Sequence, residues 1–189
     1  MNSIDYCLKQ STRFFPHWSQ QCGSQVSGLI ELVSTALEKN HNNQTWCEIG
    51  SNIGESALII SSFLQIEKLY CIDFFWDGEI QYNEFKKRTR INSSKIELLK
   101  YRSDEVYHLF ENASLDGIYI DGNHSYEFVK NDLDFAFRAI KINGFICGHD
   151  YGDAHKETKQ AVNEFISKNN LTIYKLFKDS SFMIEKTHD

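Results

Sequence analysis

Trp46-Cys47-Glu48-Ile49-Gly50-Ser51-Asn52-Ile53-Gly54-Glu55-Ser56 is the stretch on which the reading of this chain turns. A short apolar run ends in an acid, Glu48. Two glycines follow, four residues apart, and then Ser56 opens the apolar run Ala57-Leu58-Ile59-Ile60. The pattern reads as strand, tight turn, helix. Gly50 suits a turn that a side chain would obstruct, and Gly54 lets a ligand or another backbone come close. The start of the helix leaves unpaired N–H groups facing the turn. Such a turn suits a small polar ligand at the carboxyl end of a parallel strand. The spacing is Glu-x-Gly-x-x-x-Gly-x-Ser, which is not the dinucleotide fingerprint Gly-x-Gly-x-x-Gly.

Outward from this turn, strands and helices alternate. A helix over 24–39 precedes it, with Val26, Leu29, Ile30, Val33, Ala36 and Leu37 at helical spacing. Strands are predicted over 45–49, 68–72, 95–99, 115–120 and 145–148. Helices are predicted from the turn to about Phe63, over 79–90, over 103–110, from near Ser125 until Asn143-Gly144 ends it, and over 156–168. Two closing strands, 171–177 and 181–185, flank Lys178-Asp179-Ser180, which suits a hairpin. The expected fold is α/β: a Rossmann-like, doubly wound, mostly parallel seven-stranded sheet with an antiparallel hairpin last. The 189 residues form one domain, with 1–23 as an N-terminal extension and 24–189 as the core. Within the extension, Phe14, Phe15, His17 and Trp18 suggest a short helix and an aromatic loop, packing on the core or walling a pocket.

Composition narrows the function. The chain carries a formal charge of −6, and its densest basic cluster, Lys86-Lys87-Arg88 with Arg90, reads as a solvated helix face. Nucleic acid is therefore not an expected partner. No apolar run approaches a membrane span, and Met1-Asn2-Ser3-Ile4-Asp5-Tyr6-Cys7 lacks the basic and apolar regions of a signal peptide. A cytoplasmic protein is expected. Five cysteines without a Cys-x-x-Cys give little support to a disulfide framework or a zinc site. Cys47, Cys71 and Cys147 fall in strands, where cysteine acts as a small buried hydrophobe.

Polar clusters stand at the predicted strand ends: Glu48, Asp73, Ser103-Asp104, Asp121 to His124, and His149-Asp150. Sheets of this kind bind ligands outside those ends.

These residues resemble the class I S-adenosylmethionine-dependent methyltransferases. The likeness is greatest to the group containing the macrolide-sugar O-methyltransferases, with kinship to the catechol and caffeoyl-CoA O-methyltransferases. It rests on Glu48 to Ser56, on Ile72-Asp73-Phe74-Phe75-Trp76, and above all on Ile120-Asp121-Gly122-Asn123-His124-Ser125-Tyr126 with Asp132-Leu133 and Gly148-His149-Asp150. The family's usual Gly-Gly before the fifth strand is Gly144-Phe145 here.

The resemblance implies S-adenosylmethionine as cofactor. Asp73, 19 residues past Gly54, is then placed to accept bonds from both ribose hydroxyls, charge-assisted bonds being the strong kind. A helix-capping aspartate is the plainer alternative. Ser103 and Asp104 would meet the adenine edge, although Ser103 equally suits an N-cap. Phe74 would pack on the adenine or bury itself. Gly50, Ser51 and Asn52 would contact the methionine portion, with Gly54 and Ser56 completing the turn. Glu48 would anchor the turn or the ligand's ammonium. Asp121 would border the methionine end and join His124 in catalysis. His124 suits a general base for an alcohol acceptor, the alternative being a histidine bonded to its own helix start.

Asp121, His149 and Asp150 are where related enzymes hold a divalent metal. Magnesium suits the carboxylates, while a histidine ligand pulls toward manganese or zinc. Metal dependence stays open, and without a metal His149 would be a second base. The expected activity is O-methylation of a small hydroxylated molecule, a sugar or a phenol. Two other readings stand beside it: a nicotinamide-dependent oxidoreductase of similar sheet architecture, and a non-catalytic cofactor-binding module. A homodimer is compatible with the sequence, but no single feature argues for it.

Overall fold

The structure, a computed structural model, describes residues 23–189. The aromatic segment around Phe14, Phe15, His17 and Trp18 lies outside the described residues. Helix α1 (Gly23–Lys39) leads into β1 (Gln44–Ile49), the glycine turn and α2 (Glu55–Ser61). Then follow β2 (Ile66–Ile72), α3 (Glu79–Thr89), β3 (Ile96–Leu99) and the short α4 (Ser103–Val106), which a 3-10 turn, Tyr107–Leu109, continues. The rest is β4 (Leu115–Ile120), α5 (Tyr126–Ala139), β5 (Ile140–Gly148), α6 (Lys156–Lys168), β6 (Ile173–Leu176) and β7 (Phe182–Glu185).

The strands form one seven-stranded sheet in the order β3-β2-β1-β4-β5-β7-β6. The first five are parallel, and β7 runs antiparallel to both β5 and β6. This is the doubly wound, mostly parallel sheet expected from the sequence. The chain reverses direction between β1 and β4, and the crevice at that point is where such folds hold ligands.

Side chains alternate across the sheet and supply two cores. On one face Trp46, Tyr119, Phe145 and Met183 pack with Leu32 and Val33 of α1, Ile59 and Ile60 of α2, and Phe85 of α3. On the other, Cys47, Ile49, Ile118 and Ile146 pack with Val129, Leu133 and Ala136 of α5 and Val162 and Phe165 of α6. Burying a side chain of this size contributes about 1.5–3 kcal/mol, so the strands are fixed from both sides. Cys47, Cys71 and Cys147 are buried free thiols. No helix among the described residues is long and apolar enough to cross a membrane.

Several boundaries differ from expectation: β2 starts at Ile66 rather than 68, and β6 spans Ile173–Leu176 rather than 171–177. The helix after the glycine turn stops at Ser61 rather than near Phe63: the Phe63 N–H donates to the Ile60 carbonyl, three residues back, at 3.3 Å, instead of four back as the helix requires. The larger difference is β5. The sequence reading carried α5 through Ile140 to a stop at Asn143-Gly144, whereas α5 ends at Ala139 and β5 starts at once with Ile140 paired to Leu115. Ile140 continues the helical spacing but is claimed by the strand. Asn143, at φ 66°, then makes a bend inside β5, and its N–H donates to the Lys186 carbonyl at 2.7 Å. Nor is the basic cluster of α3 wholly solvated, since Arg88 turns inward to pair with Glu55 at 2.7 Å.

Candidate functional site

The glycine turn is held from three sides. Gly50 has φ +88°, and a Cβ there would stand 2.1 Å from the Asp121 carbonyl oxygen, so the end of β1 passes close under the end of β4. Only glycine satisfies both demands. The Gly50 N–H donates to the Ile72 carbonyl at 2.9 Å, and the Asn52 N–H donates to Asp73 Oδ2 at 2.7 Å. A Cβ at Gly54 would meet the side chains of Thr89 and Phe85 of α3, at 2.8 and 3.0 Å, so this glycine lets α3 pack closely on the turn.

A cleft of about 540 Å3 opens between the ends of β1, β2 and β4. That volume lies within the ~300–1,000 Å3 usual for small-molecule sites. Gly50, Asn52, Asp73, Phe74, Ser103 and Asp121 all line it. Asp73 accepts from Asn52 through one oxygen and from the Phe75 N–H, at 2.6 Å, through the other. A carboxylate has about four lone-pair directions, so Asp73 still has capacity facing the cleft. It tethers the turn and caps no helix.

Phe74 is exposed at the mouth rather than buried. Ser103 is the first residue of α4 and not its cap. That position belongs to Arg102, whose N–H donates to Glu105 Oε2 at 2.9 Å. The Ser103 hydroxyl accepts instead from Tyr107 at 3.2 Å. Asp104 does not reach the cleft; it lies exposed, paired with Arg102 at 2.8 Å.

Residues that the sequence reading gave no role also stand here. Gln81 lines the cleft and donates to Asn52 Oδ1 at 2.6 Å. Trp76 and Tyr101 form an exposed aromatic rim with Phe74, and Phe128 lies opposite with Arg102 5.5 Å from its ring centre. Trp76 followed Asp73 closely enough to have been suspected. Gln81, Tyr101 and Phe128 sit on separate elements and carried no local signal.

A second recess, about 310 Å3, lies across the turn and shares Gly50, Asn52 and Asp121 with the first. Ser51, Ser56, Tyr119 and His149 line it. Glu48 lines neither space. It is wholly buried on the α1–α2 face of β1, and neither carboxylate oxygen has a hydrogen-bond partner. Burial pushes its carboxyl up to about 7; the hydroxyls of Ser51 and Ser56 offset part of that rise without completing a bond. Glu48 therefore does not anchor the turn through hydrogen bonds of its own.

The ends of β4 and β5 bring the remaining residues together around one carboxylate, Asp150. Its Oδ2 lies 2.7 Å from His124 Nε2, and its Oδ1 lies 2.9 Å from His149 Nδ1 and 3.4 Å from His155 Nε2. Asp121 Oδ1 stands 3.6 Å from His124 Nε2. Asp150 has φ 63°, a left-handed backbone that a non-glycine residue adopts at a cost, and such residues gather at functional sites.

The electrostatics follow from this crowding. Bonds to Asp121 and to Asp150 raise His124 to about 10, against the smaller opposing effect of burial. Burial alone would raise Asp150, but its bonds from His124 and His149 hold it well below the usual carboxylate range. Burial pulls His149 down, and Asp150 with the neighbouring carboxylates more than reverses this. His124 is thus an imidazolium at neutral pH, locked between two acids, and its side chain does not bond its own helix start.

One ligand atom from each of Asp121, His149 and Asp150 lies within 4.8 Å of the others. Two carboxylates and an imidazole suit a divalent ion, and His149 Nε2 is buried without a partner. The donor set fits a metal.

Comparison with known proteins agrees with this geometry. A family model described as "Methyltransferase domain" matches residues 47–151, from the first strand to the His-Asp-Tyr after the fifth. An uncharacterized protein, R132, of Acanthamoeba polyphaga mimivirus is 27% identical over 148 residues, which cover 74% of this chain and 66%, just under two thirds, of that relative.

Among solved structures, one from Staphylococcus aureus described as "a putative caffeoyl-CoA O-methyltransferase" superposes with a TM-score of 0.69 at 15% identity, covering 96% of each chain. Another from Klebsiella pneumoniae, described as "a putative O-methyltransferase", gives 0.66 at 15% identity and covers 100% of this chain and 91% of its own. A precorrin-6y C5,15-methyltransferase from Geobacter metallireducens gives 0.60 at 14% identity over 82% of this chain and 87% of its own. At such identities these structures speak for the fold, while the family model speaks for the family and against an oxidoreductase. The chain belongs to the methyltransferase-domain family, within the class I S-adenosylmethionine-dependent methyltransferases.

Proposed function

We propose that this chain is an O-methyltransferase that moves the methyl group of S-adenosylmethionine to a hydroxyl of a small molecule, a sugar or a phenol, with a divalent metal at Asp121, His149 and Asp150. The observation that carries the reading is the meeting of Asp121, His124 and Asp150 at the ends of β4 and β5, where Asp121 lines both recesses and Asp150 the smaller one. Structural neighbours described as "a putative O-methyltransferase" and "a putative caffeoyl-CoA O-methyltransferase" support it.

In this reading the adenosine lies in the larger cleft, with its ribose hydroxyls on Asp73 and its base against the aromatic rim. The methionine portion crosses Gly50 to Asn52 toward the second recess, which shares those residues. The acceptor hydroxyl approaches beside His124. Its oxygen attacks the methyl carbon, the carbon–sulfur bond breaks toward sulfur, and the hydroxyl proton passes to His124 Nε2. Aligning the three reacting atoms is worth about 7–11 kcal/mol of barrier. A divalent ion, when bound, supplies Lewis acidity that makes an acceptor hydroxyl easier to ionise.

His124 must first give up the proton that Asp121 and Asp150 hold on it. That proton leaves to solvent, and Asp121 and Asp150 would hold it less strongly if their carboxylates were engaged by a cation.

The test is release of S-adenosylhomocysteine across a panel of sugar and phenolic acceptors, with magnesium or manganese present. Turnover on a hydroxylated acceptor is expected. His124→Ala is expected to lower kcat by a factor of about 10²–10⁴, the usual worth of a positioned base, with cofactor affinity kept. Unchanged turnover removes His124 as the base. Cofactor binding without transfer to any acceptor points instead to a module that holds the cofactor without chemistry.

A further inference from the structure

His155 belongs to no part of the reading above. It opens α6 at the N-cap position, where its side chain makes no cap bond, although Ser, Thr, Asp or Asn would cap the helix better. Its imidazole instead turns Nε2 toward Asp150 Oδ1, at 3.4 Å, while the His124 imidazole turns its own Nε2 toward Oδ2, at 2.7 Å. The two rings stand 5.0 Å apart between centres. One ligand atom from each of His124, Asp150 and His155 lies within 4.8 Å of the others, a second such set beside that of Asp121, His149 and Asp150.

We propose that His124, Asp150 and His155 form a second cation position, which takes a late first-row transition ion of the zinc type. The two sets share only Asp150, whose Oδ2 faces His124 while its Oδ1 faces both His149 and His155. The donor chemistry of the two differs. Asp121, His149 and Asp150 are carboxylate-rich and accept magnesium or manganese, whereas a set with two imidazoles and one carboxylate suits late transition ions such as zinc, nickel, copper or ferrous iron, of which redox-inert zinc is the probe of choice. His124 and His155 are each about two-fifths exposed, so an ion reaches them from solvent. The strained backbone of Asp150 holds its carboxylate at the junction of the two sets. An ion in the second position occupies the Nε2 of His124, so it excludes that residue from proton transfer. Binding there requires neither cofactor nor methyl transfer.

The experiment uses the full chain, stripped with a chelator and titrated with zinc by calorimetry and with cobalt by visible absorption. Circular dichroism checks that each variant folds. The unaltered chain is expected to bind a zinc or cobalt ion that His155→Ala weakens at least tenfold, with loss of the cobalt d–d bands of that site. His149→Ala is expected to leave that ion in place. Asp150→Asn is expected to lose it. A single ion that His155→Ala leaves unchanged and His149→Ala removes overturns the proposal, as does failure of the folded chain to bind either metal.

Discussion

Glu48→Gln tests the reading of the buried acid under the glycine turn. Both oxygens of Glu48 lack partners, and burial raises its ionisation from 4.5 to about 7. The sign follows from proton linkage. Below about pH 4.5 the carboxyl is protonated in both folded and unfolded chains and costs nothing. Between 4.5 and 7 the unfolded chain releases its proton while the folded chain keeps it, so stability falls as pH rises. Above 7 the folded chain carries a buried, unpaired charge and the penalty is complete. At ~1.4 kcal/mol for each pH unit, that penalty is about 3 kcal/mol. Glutamine has the same shape and cannot ionise. Urea unfolding of the cofactor-free protein at pH 5 and pH 8, compared with Glu48→Gln, isolates this one group because every other titration is common to both chains. The variant is expected to be more stable by about 3 kcal/mol at pH 8 and by less than about 1 kcal/mol at pH 5. An equal difference at the two pH values, or a variant less stable than its parent at pH 8, refutes the account and means that Glu48 is solvated or paired.

Two further outcomes can be checked on the cofactor-binding side and on the histidine cluster. Asp73→Asn removes a charged acceptor from the ribose side of the cleft, and bonds to charged groups are worth ~1.5–3 kcal/mol. Calorimetry should therefore show S-adenosylmethionine binding weakened by about ten- to a hundredfold, and unchanged affinity would place the ribose elsewhere. His124, raised to about 10 by Asp121 and Asp150, contributes stability that is present below its ordinary value near 6.5 and is lost as pH climbs toward 10. Its exposure at the surface reduces the size of that contribution. In metal-free protein its ring proton resonances should titrate well above pH 8, and Asp150→Asn should bring the midpoint down toward 6.5. A midpoint near 6.5 in the unaltered chain would show that the carboxylates do not hold the proton.

How much of this was legible in the sequence depended on whether a signal was local. The strand from Leu115 to Ile120 and the helix from Lys156 to Lys168 stand where their periodicity put them, because burial there follows sequence spacing. The strand-end acids could be placed on one side of the sheet for the same reason. The start of β5 could not, because Ile140 satisfies the spacing of α5 equally well and only pairing with Leu115 decides the matter. Glu48 looked like a ligand-facing acid. Strand alternation turns it instead into the face covered by α1 and α2, and which face of β1 those two helices cover is decided only when the sheet assembles. His155 was invisible because nothing near it in the chain suggests a partner. It meets His124 and Asp150 only when β4, β5 and α6 are assembled. Asp104 stands instead at the surface, paired with its neighbour Arg102 and away from the residues that line the cleft.

The placement of β7 between β5 and β6 has a consequence for synthesis. The ribosome makes β5 well before Phe182–Glu185, so the nascent domain carries a central strand with one bare edge until nearly all of the described chain has emerged. Phe145, Ile146 and Cys147 wait on that edge for Met183, Ile184 and Glu185, and an unpaired apolar strand edge is a template for the wrong partner. The parallel half of the sheet can be held ready, but it cannot close on its own. Vectorial folding therefore ends in one late step, and a ribosome stalled before residue 182 would display a sticky intermediate rather than a smaller working domain.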